Sequence, residues 1–163
     1  MATIKIRQVD YSDQADASDL THLLDYYARD PMGGGQPLPA DAKEALAARL
    51  QDQPNAFSLI AYADNAPAGL ANCFVGFSTF AAKPLVNIHD VIVKAEFRGQ
   101  GIGKALFAEI EAMAAARGAC KVTLEVLSGN EPAKALYGSL GYGDYQLDPS
   151  KGNALFWQKE LAA

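Results

Sequence analysis

Between an apolar run, Leu85 to Val93, and a run with helical spacing lie seven residues: Arg98, Gly99, Gln100, Gly101, Ile102, Gly103 and Lys104. Glycine-rich turns between strand and helix are common, and an ordinary turn with spare glycine is the plain alternative to a ligand site. The missing Cβ atoms let a ligand approach the backbone, and positive φ angles can aim successive N–H groups at one point. The helix that follows adds unpaired N-terminal donors and the positive end of its dipole. With Arg98 and Lys104 flanking it, such a turn is built to hold phosphate.

Spacing decides which phosphate ligand is meant. The dinucleotide pattern G-x-G-x-x-G, counted from Gly99, needs glycine where Lys104 stands; counted from Gly101, it needs glycine at Leu106. The mononucleotide loop G-x-x-x-x-G-K-[ST] needs glycine at Arg98 and a hydroxyl at Ala105, so it fails twice. The pattern that remains is [QR]-x-x-G-x-[GA], met by Arg98, Gly101 and Gly103.

The length of 163 residues fits one domain spanning 1–163, able to bury roughly 70% of its unfolded surface. A net charge of -5 with no basic cluster argues against a nucleic-acid partner. Cys73 and Cys120 lie in apolar runs without metal-ligand spacing and are expected as core thiols, so no metal site is expected. With no apolar stretch near 18 residues and no basic-then-apolar leader, the expectation is a soluble, cytoplasmic protein without membrane contact.

The periodicity predicts strands over 3–9, 57–63, 68–77, 85–93, 121–127, 142–147 and 154–161. Helices are predicted after Ser12 and Asp13, over 41–50, from Gly101 to Arg117, and over 131–140. Residues 29–40, rich in glycine and proline, form a loop. The order β-α-α-β-β-β-α-β-α-β-β describes an α/β domain with a mixed sheet.

Two separated motifs in this order resemble the GNAT superfamily of N-acetyltransferases. One spans Asn87 to Gly118; the other spans Glu125 to Tyr145 and includes Asn130, Ala133, Leu136, Tyr137, Leu140, Gly141 and Tyr142. The resemblance implies a mixed, mostly antiparallel sheet of about seven strands with about four helices, splayed between strands 4 and 5. It implies acetyl-CoA as co-substrate, with its pyrophosphate on the turn from Arg98 to Lys104. Val91, Ile92 and Val93 would pair with the amides of pantetheine, as an added strand would. Asn130, Glu131, Pro132 and Ala133 would hold the pantetheine from the other side; Asn130 before Glu131 and Pro132 is equally a good N-cap.

Tyr137 is the candidate general acid. Acetyl transfer from sulfur to nitrogen expels a thiolate, and a phenol with an ordinary pKa of about 10 can protonate it. The acceptor amine must lose a proton, through a side chain or a water chain. His89 and Asp90 are the candidates, histidine being the side chain that titrates closest to neutrality. The strand carrying them resembles that of polyamine-type and thialysine-type members, in which an acidic pair occupies these positions; here the first is histidine. Neighbouring strand residues face opposite sides unless a bulge intervenes. Tyr26, Tyr27, Asp25, Asp30 and Glu125 are candidate contacts for a small-molecule amine acceptor, by charge or by cation–π contact. A peptide amine acceptor and a non-catalytic acyl-CoA-binding module are the alternatives, and dimerisation, frequent in the family, adds a homodimer to the partners implied.

Overall fold

The computed structural model describes residues 1–162, in two compact units, Met1–Leu124 and a second beginning at Glu125. In the first unit the strands β1 (Ile4–Gln8), β2 (Ala56–Ala63), β3 (Ala66–Ser78), β4 (Lys83–Val93) and β5 (Val122–Leu124) form one sheet in sequence order. The first three pairings are antiparallel. β5 joins β4 in parallel through only three residue pairs, Val86 with Val122, Asn87 with Thr123 and Ile88 with Leu124.

The helices α1 (Gln14–Arg29) and α2 (Ala40–Gln51) follow β1, and α3 (Ile102–Ala116) separates β4 from β5. Asp13 caps α1 by accepting from the Asp16 N–H at 2.9 Å, as Ser12 followed by Asp13 suggests. Side chains alternate across a sheet, so β3 serves two layers. Leu70 on one face joins Val9, Leu20, Leu23, Leu50, Ile60 and Ile92 in a cluster against α1 and α2. Gly69 on the other face leaves room for α3: a Cβ there would lie 3.2 Å from Ile102 and 3.3 Å from Leu106. Leu106, Phe107 and Ile110 are fully buried, each contributing about 1.5–3 kcal/mol relative to exposure.

The second unit contains α4 (Glu131–Ser139) and a short 3-10 turn at Pro149–Lys151. Here the seven-strand expectation is corrected: the described residues form five strands, and 142–147 and 154–161 carry no ladder. Ala154 donates to the Tyr145 carbonyl at 3.0 Å, and Asn153 bonds the side chains of Gln146 and Asp144. An apolar alternation meets the sequence criterion for a strand, but a strand exists only where its backbone finds a partner. For the same reason β5 is shorter than the run 121–127. Cys73 is buried as expected, whereas Cys120, beyond the end of α3, is exposed.

Candidate functional site

The glycine turn opens as the spacing predicts. β4 ends where Lys94 donates to the Ala68 carbonyl, and a 3-10 turn at Ala95–Phe97 leads to Arg98. Gly99 and Gly101 have φ of 76° and 82°, a region costly to residues with a Cβ. A Cβ at either would meet no atom within 4 Å, so their faces are open to a ligand. Gly101 is the N-cap of α3 and has no side-chain cap, which leaves the first-turn N–H groups of the helix for an outside acceptor. Gln100 and Lys104 are exposed, Gly103 is half-buried, and Ile102 anchors the turn in the core at 1% exposure. Open backbone donors at a helix N-terminus, without Cβ atoms in the way, suit a phosphate group. Arg98 is exposed; its Nε donates to the Val93 carbonyl at 3.1 Å and its guanidinium lies 3.9 Å from Asp30.

Along β4, pairing with β5 stops at Ile88, so Val91, Ile92 and Val93 have no strand on that side among the described residues. Lys94 bonds Ala68 across to β3, and antiparallel bonds alternate; Val91 and Val93 therefore turn their backbone groups to the open edge.

A bulge interrupts β4 at His89. Asp90 stands opposite Asn72 and Ile88 opposite Cys73, so His89 has no partner on β3. His89 packs edge-on against Phe74, centroids 5.5 Å apart. Phe74 belongs to the face that meets α1 and α2, as does Asn72, whose amide donates to Asp90 Oδ2 at 3.0 Å. The bulge thus brings His89 and Asp90 to one face, which regular alternation would forbid. His89 is exposed and Asp90 half-buried.

The α1 side of this face carries Tyr27. Burial pushes its phenol above the ordinary value, and the carboxylates of Asp90 and Asp30 push it further, so all three groups share one neighbourhood. A 3-10 turn at Pro31–Gly33, capped by Asp30, folds over it; a Cβ at Gly33 would lie 2.0 Å from the Tyr27 carbonyl oxygen, so only glycine fits. Tyr26 is used differently: its hydroxyl accepts from the Ala95 N–H at 3.0 Å, tying α1 to the segment before the glycine turn. Asp25 is occupied by Arg29 at 2.9 Å, Lys43 at 3.3 Å and the Leu38 N–H at 2.9 Å, which makes it a brace between α1, α2 and their connection. His22 lines a shallow groove between α1 and α2 with Gln14, Thr21, Lys43 and Glu44.

In the second unit Asn130 caps α4: its side-chain oxygen accepts from the Ala133 N–H at 3.3 Å, and Pro132 sits in the first turn. Glu131 pairs with Lys134 at 3.1 Å. Tyr137 is half-buried near the C-terminal end of α4, where its carbonyl accepts from the Tyr142 N–H. Glu125 is exposed.

Sequence reasoning missed three side chains on the α1 face. Ser58 and Asn72, at 1% and 4% exposure, and Tyr11 lead by hydrogen bonds to Asp90. The signal was present as a single polar residue inside each of two apolar strands, but only the register sets them side by side. No group of three or more His, Cys, Asp or Glu side chains fit to hold a metal occurs among the described residues, and no described helix is long and apolar enough to cross a membrane.

The fold that carries this arrangement has known counterparts. The family model of the acetyltransferase (GNAT) family matches residues 20–142, more than half of the chain, and the chain belongs to that family. Thialysine N-epsilon-acetyltransferase of Bos taurus is 34% identical over 71 residues, which cover 44% of this chain and 41% of that enzyme. The match therefore spans under half the length of that curated relative. Among solved structures, an aminoglycoside N-acetyltransferase in complex with CoA is 20% identical with a TM-score of 0.75, covering 99% of this chain and 97% of that one. A ribosomal-protein-alanine N-acetyltransferase from Brucella melitensis biovar Abortus 2308 is 20% identical with a TM-score of 0.71, over 99% of both chains. At these identities the structural likeness shows the shared fold.

Proposed function

We propose that the chain, as one domain over 1–163, is an acetyl-CoA-dependent N-acetyltransferase that acts on a primary amine of a small cationic molecule by direct attack in a ternary complex. The observation that carries this reading is the bulge in β4, which sets His89 and Asp90 on the face shared with Tyr27, next to the strand edge that ends at the glycine turn. An amine held near Asp90 and Tyr27 meets a carboxylate and an aromatic ring, the two groups that best attract an ammonium.

Acetyl-CoA supplies a thioester carbonyl. Gly99 to Lys104 and Arg98 would hold its phosphates, and the edge of Val91 and Val93 its amides. Asp90 orients the acceptor ammonium, and His89, exposed beside it, accepts the proton that must leave before the nitrogen can attack. The N–C bond forms and the C–S bond breaks; Tyr137 gives its proton to the departing thiolate, the nitrogen sheds its second proton to solvent as it becomes an amide, and solvent reprotonates the tyrosinate. Thialysine is the first acceptor to try, because a thialysine N-epsilon-acetyltransferase is 34% identical to this chain over 71 residues.

The test is an amine panel of thialysine, spermidine, sisomicin and an alanine-initiated peptide, each with acetyl-CoA and a free-thiol readout. Thiol release with a small amine is expected. Release with the peptide alone moves the acceptor class to protein amines, and a raised Tm with acetyl-CoA but no release from any amine overturns the catalytic reading in favour of an acyl-CoA-binding regulatory module.

A further inference from the structure

Ser58, Asn72 and Asp90 stand on one rung across β2, β3 and β4, because Ser58 pairs with Asn72 and the bulge brings Asp90 opposite Asn72. Their side chains are joined. The Ser58 hydroxyl donates to Asn72 Oδ1 at 2.6 Å, and Asn72 Nδ2 donates to Asp90 Oδ2 at 3.0 Å. At the far end the Tyr11 hydroxyl lies 2.7 Å from Ser58 Oγ.

The direction of every bond follows from the carboxylate. An ionised Asp90 only accepts, so the Asn72 amide must turn its NH2 towards it and its carbonyl towards Ser58. Ser58 then spends its single proton on that carbonyl, and Tyr11 must donate to Ser58. Burial keeps Tyr11 protonated, since it pushes the phenol above its ordinary value. The chain has one arrangement, fixed from Tyr11 to Asp90, with none of its buried polar atoms unsatisfied.

We propose that Tyr11, Ser58 and Asn72 are positioning residues that hold the Asp90 carboxylate in the orientation in which it meets the acceptor amine. The inference rests on the role given to Asp90 above. The amide in the middle excludes a proton wire, because passing a proton through Asn72 would require its imidic-acid tautomer. Orientation is what remains for the chain to supply, and it is needed here: a bulge loosens the local ladder, and Asp90 is the half-buried residue beside it.

The experiment is a double-mutant cycle, read with the panel amine of highest kcat/KM at saturating acetyl-CoA. Asn72→Ser should lower kcat/KM for the amine about tenfold, the loss of one bond to a charged group, and leave KM for acetyl-CoA within about twofold. Ser58→Ala and Tyr11→Phe should give smaller losses in that order, and Ser58→Thr, which keeps the hydroxyl, should recover most of the first. In an Asp90→Asn background Asn72→Ser should cost nothing further. An equal fold loss in both backgrounds, or a parallel rise in KM for both substrates, would overturn the inference and leave Asp90 its role. Wild-type turnover by Asp90→Asn would remove that role as well. Melting curves with and without acetyl-CoA establish that each variant is folded, and Tyr11→Phe, which deletes only one oxygen, keeps the cycle decisive if Asn72→Ser does not fold.

Discussion

Gly101 and Gly118 bracket α3 and make a matched pair of perturbations. Both have positive φ, 82° and 70°, and both would place a new Cβ in open space with no atom within 4 Å. Alanine at either therefore meets the same penalty, left-handed backbone strain of about 1–2 kcal/mol, with no clash to add. For a domain of this size that is a loss of about 2–8 °C in Tm. The two differ only in what lies outside the Cβ. At Gly118 it is the far end of the helix; at Gly101 it is the cradle formed by the first N–H groups of α3. A methyl group there holds a phosphate off the donors and removes about one charge-assisted hydrogen bond, about 1.5–3 kcal/mol, or a tenfold to hundredfold rise in the Kd of acetyl-CoA. Thermal denaturation measures the strain and isothermal calorimetry the affinity. Gly101→Ala and Gly118→Ala should melt alike and bind acetyl-CoA differently. Equal affinities would refute the assignment of the turn as the phosphate site.

Tyr137→Phe should reduce kcat by about a hundredfold or more while acetyl-CoA affinity holds, as expected of a lost general acid; unchanged turnover in the thiol-release assay removes Tyr137 from that role. Asp16 offers a pH test. Burial raises its carboxyl, but the bonds from the Arg7 guanidinium and the Asp10 N–H outweigh that and leave it below its ordinary value. A depressed folded pKa stabilises the fold above the ordinary carboxylate range and loses that contribution as pH falls through the folded value. Asp16→Asn should therefore flatten the fall of Tm below about pH 4, and an unchanged slope would contradict the linkage. Thiol labelling should modify Cys120 in the native protein and Cys73 only in denaturant, since burial and the Asp90 charge push the Cys73 thiol up to about 12.

Helices and the first four strands were legible because their signals are local. Asp13 at the start of α1, the glycines before α3, and Asn130 with Pro132 at α4 each state an end in a few residues. What depends on a distant partner was not legible. The run from 142 to 147 has the composition of a strand, but pairing is decided elsewhere in the chain, and the same holds for the ends of β5. Whether His89 and Asp90 share a face turned on one extra residue in β4, which no periodicity announces. Nor could the sequence show that Ser58 and Asn72 touch: they lie 14 residues apart and meet through the register of β2 with β3.

The bulge has one more consequence. Val86, Ile88 and Ile92 are all buried and all even-numbered, so β4 reads as one continuous alternation. Yet Ile88 pairs with Cys73 on the α3 layer, whereas Ile92 pairs with Leu70 and belongs to the cluster with Leu20, Leu23 and Leu50. The inserted residue reverses the parity of the strand, and a single amphipathic stripe supplies two separate cores. Repacking at position 88 will be felt by α3 and repacking at 92 by α1 and α2, so substitutions four residues apart on one strand should combine additively, as if they lay in different elements.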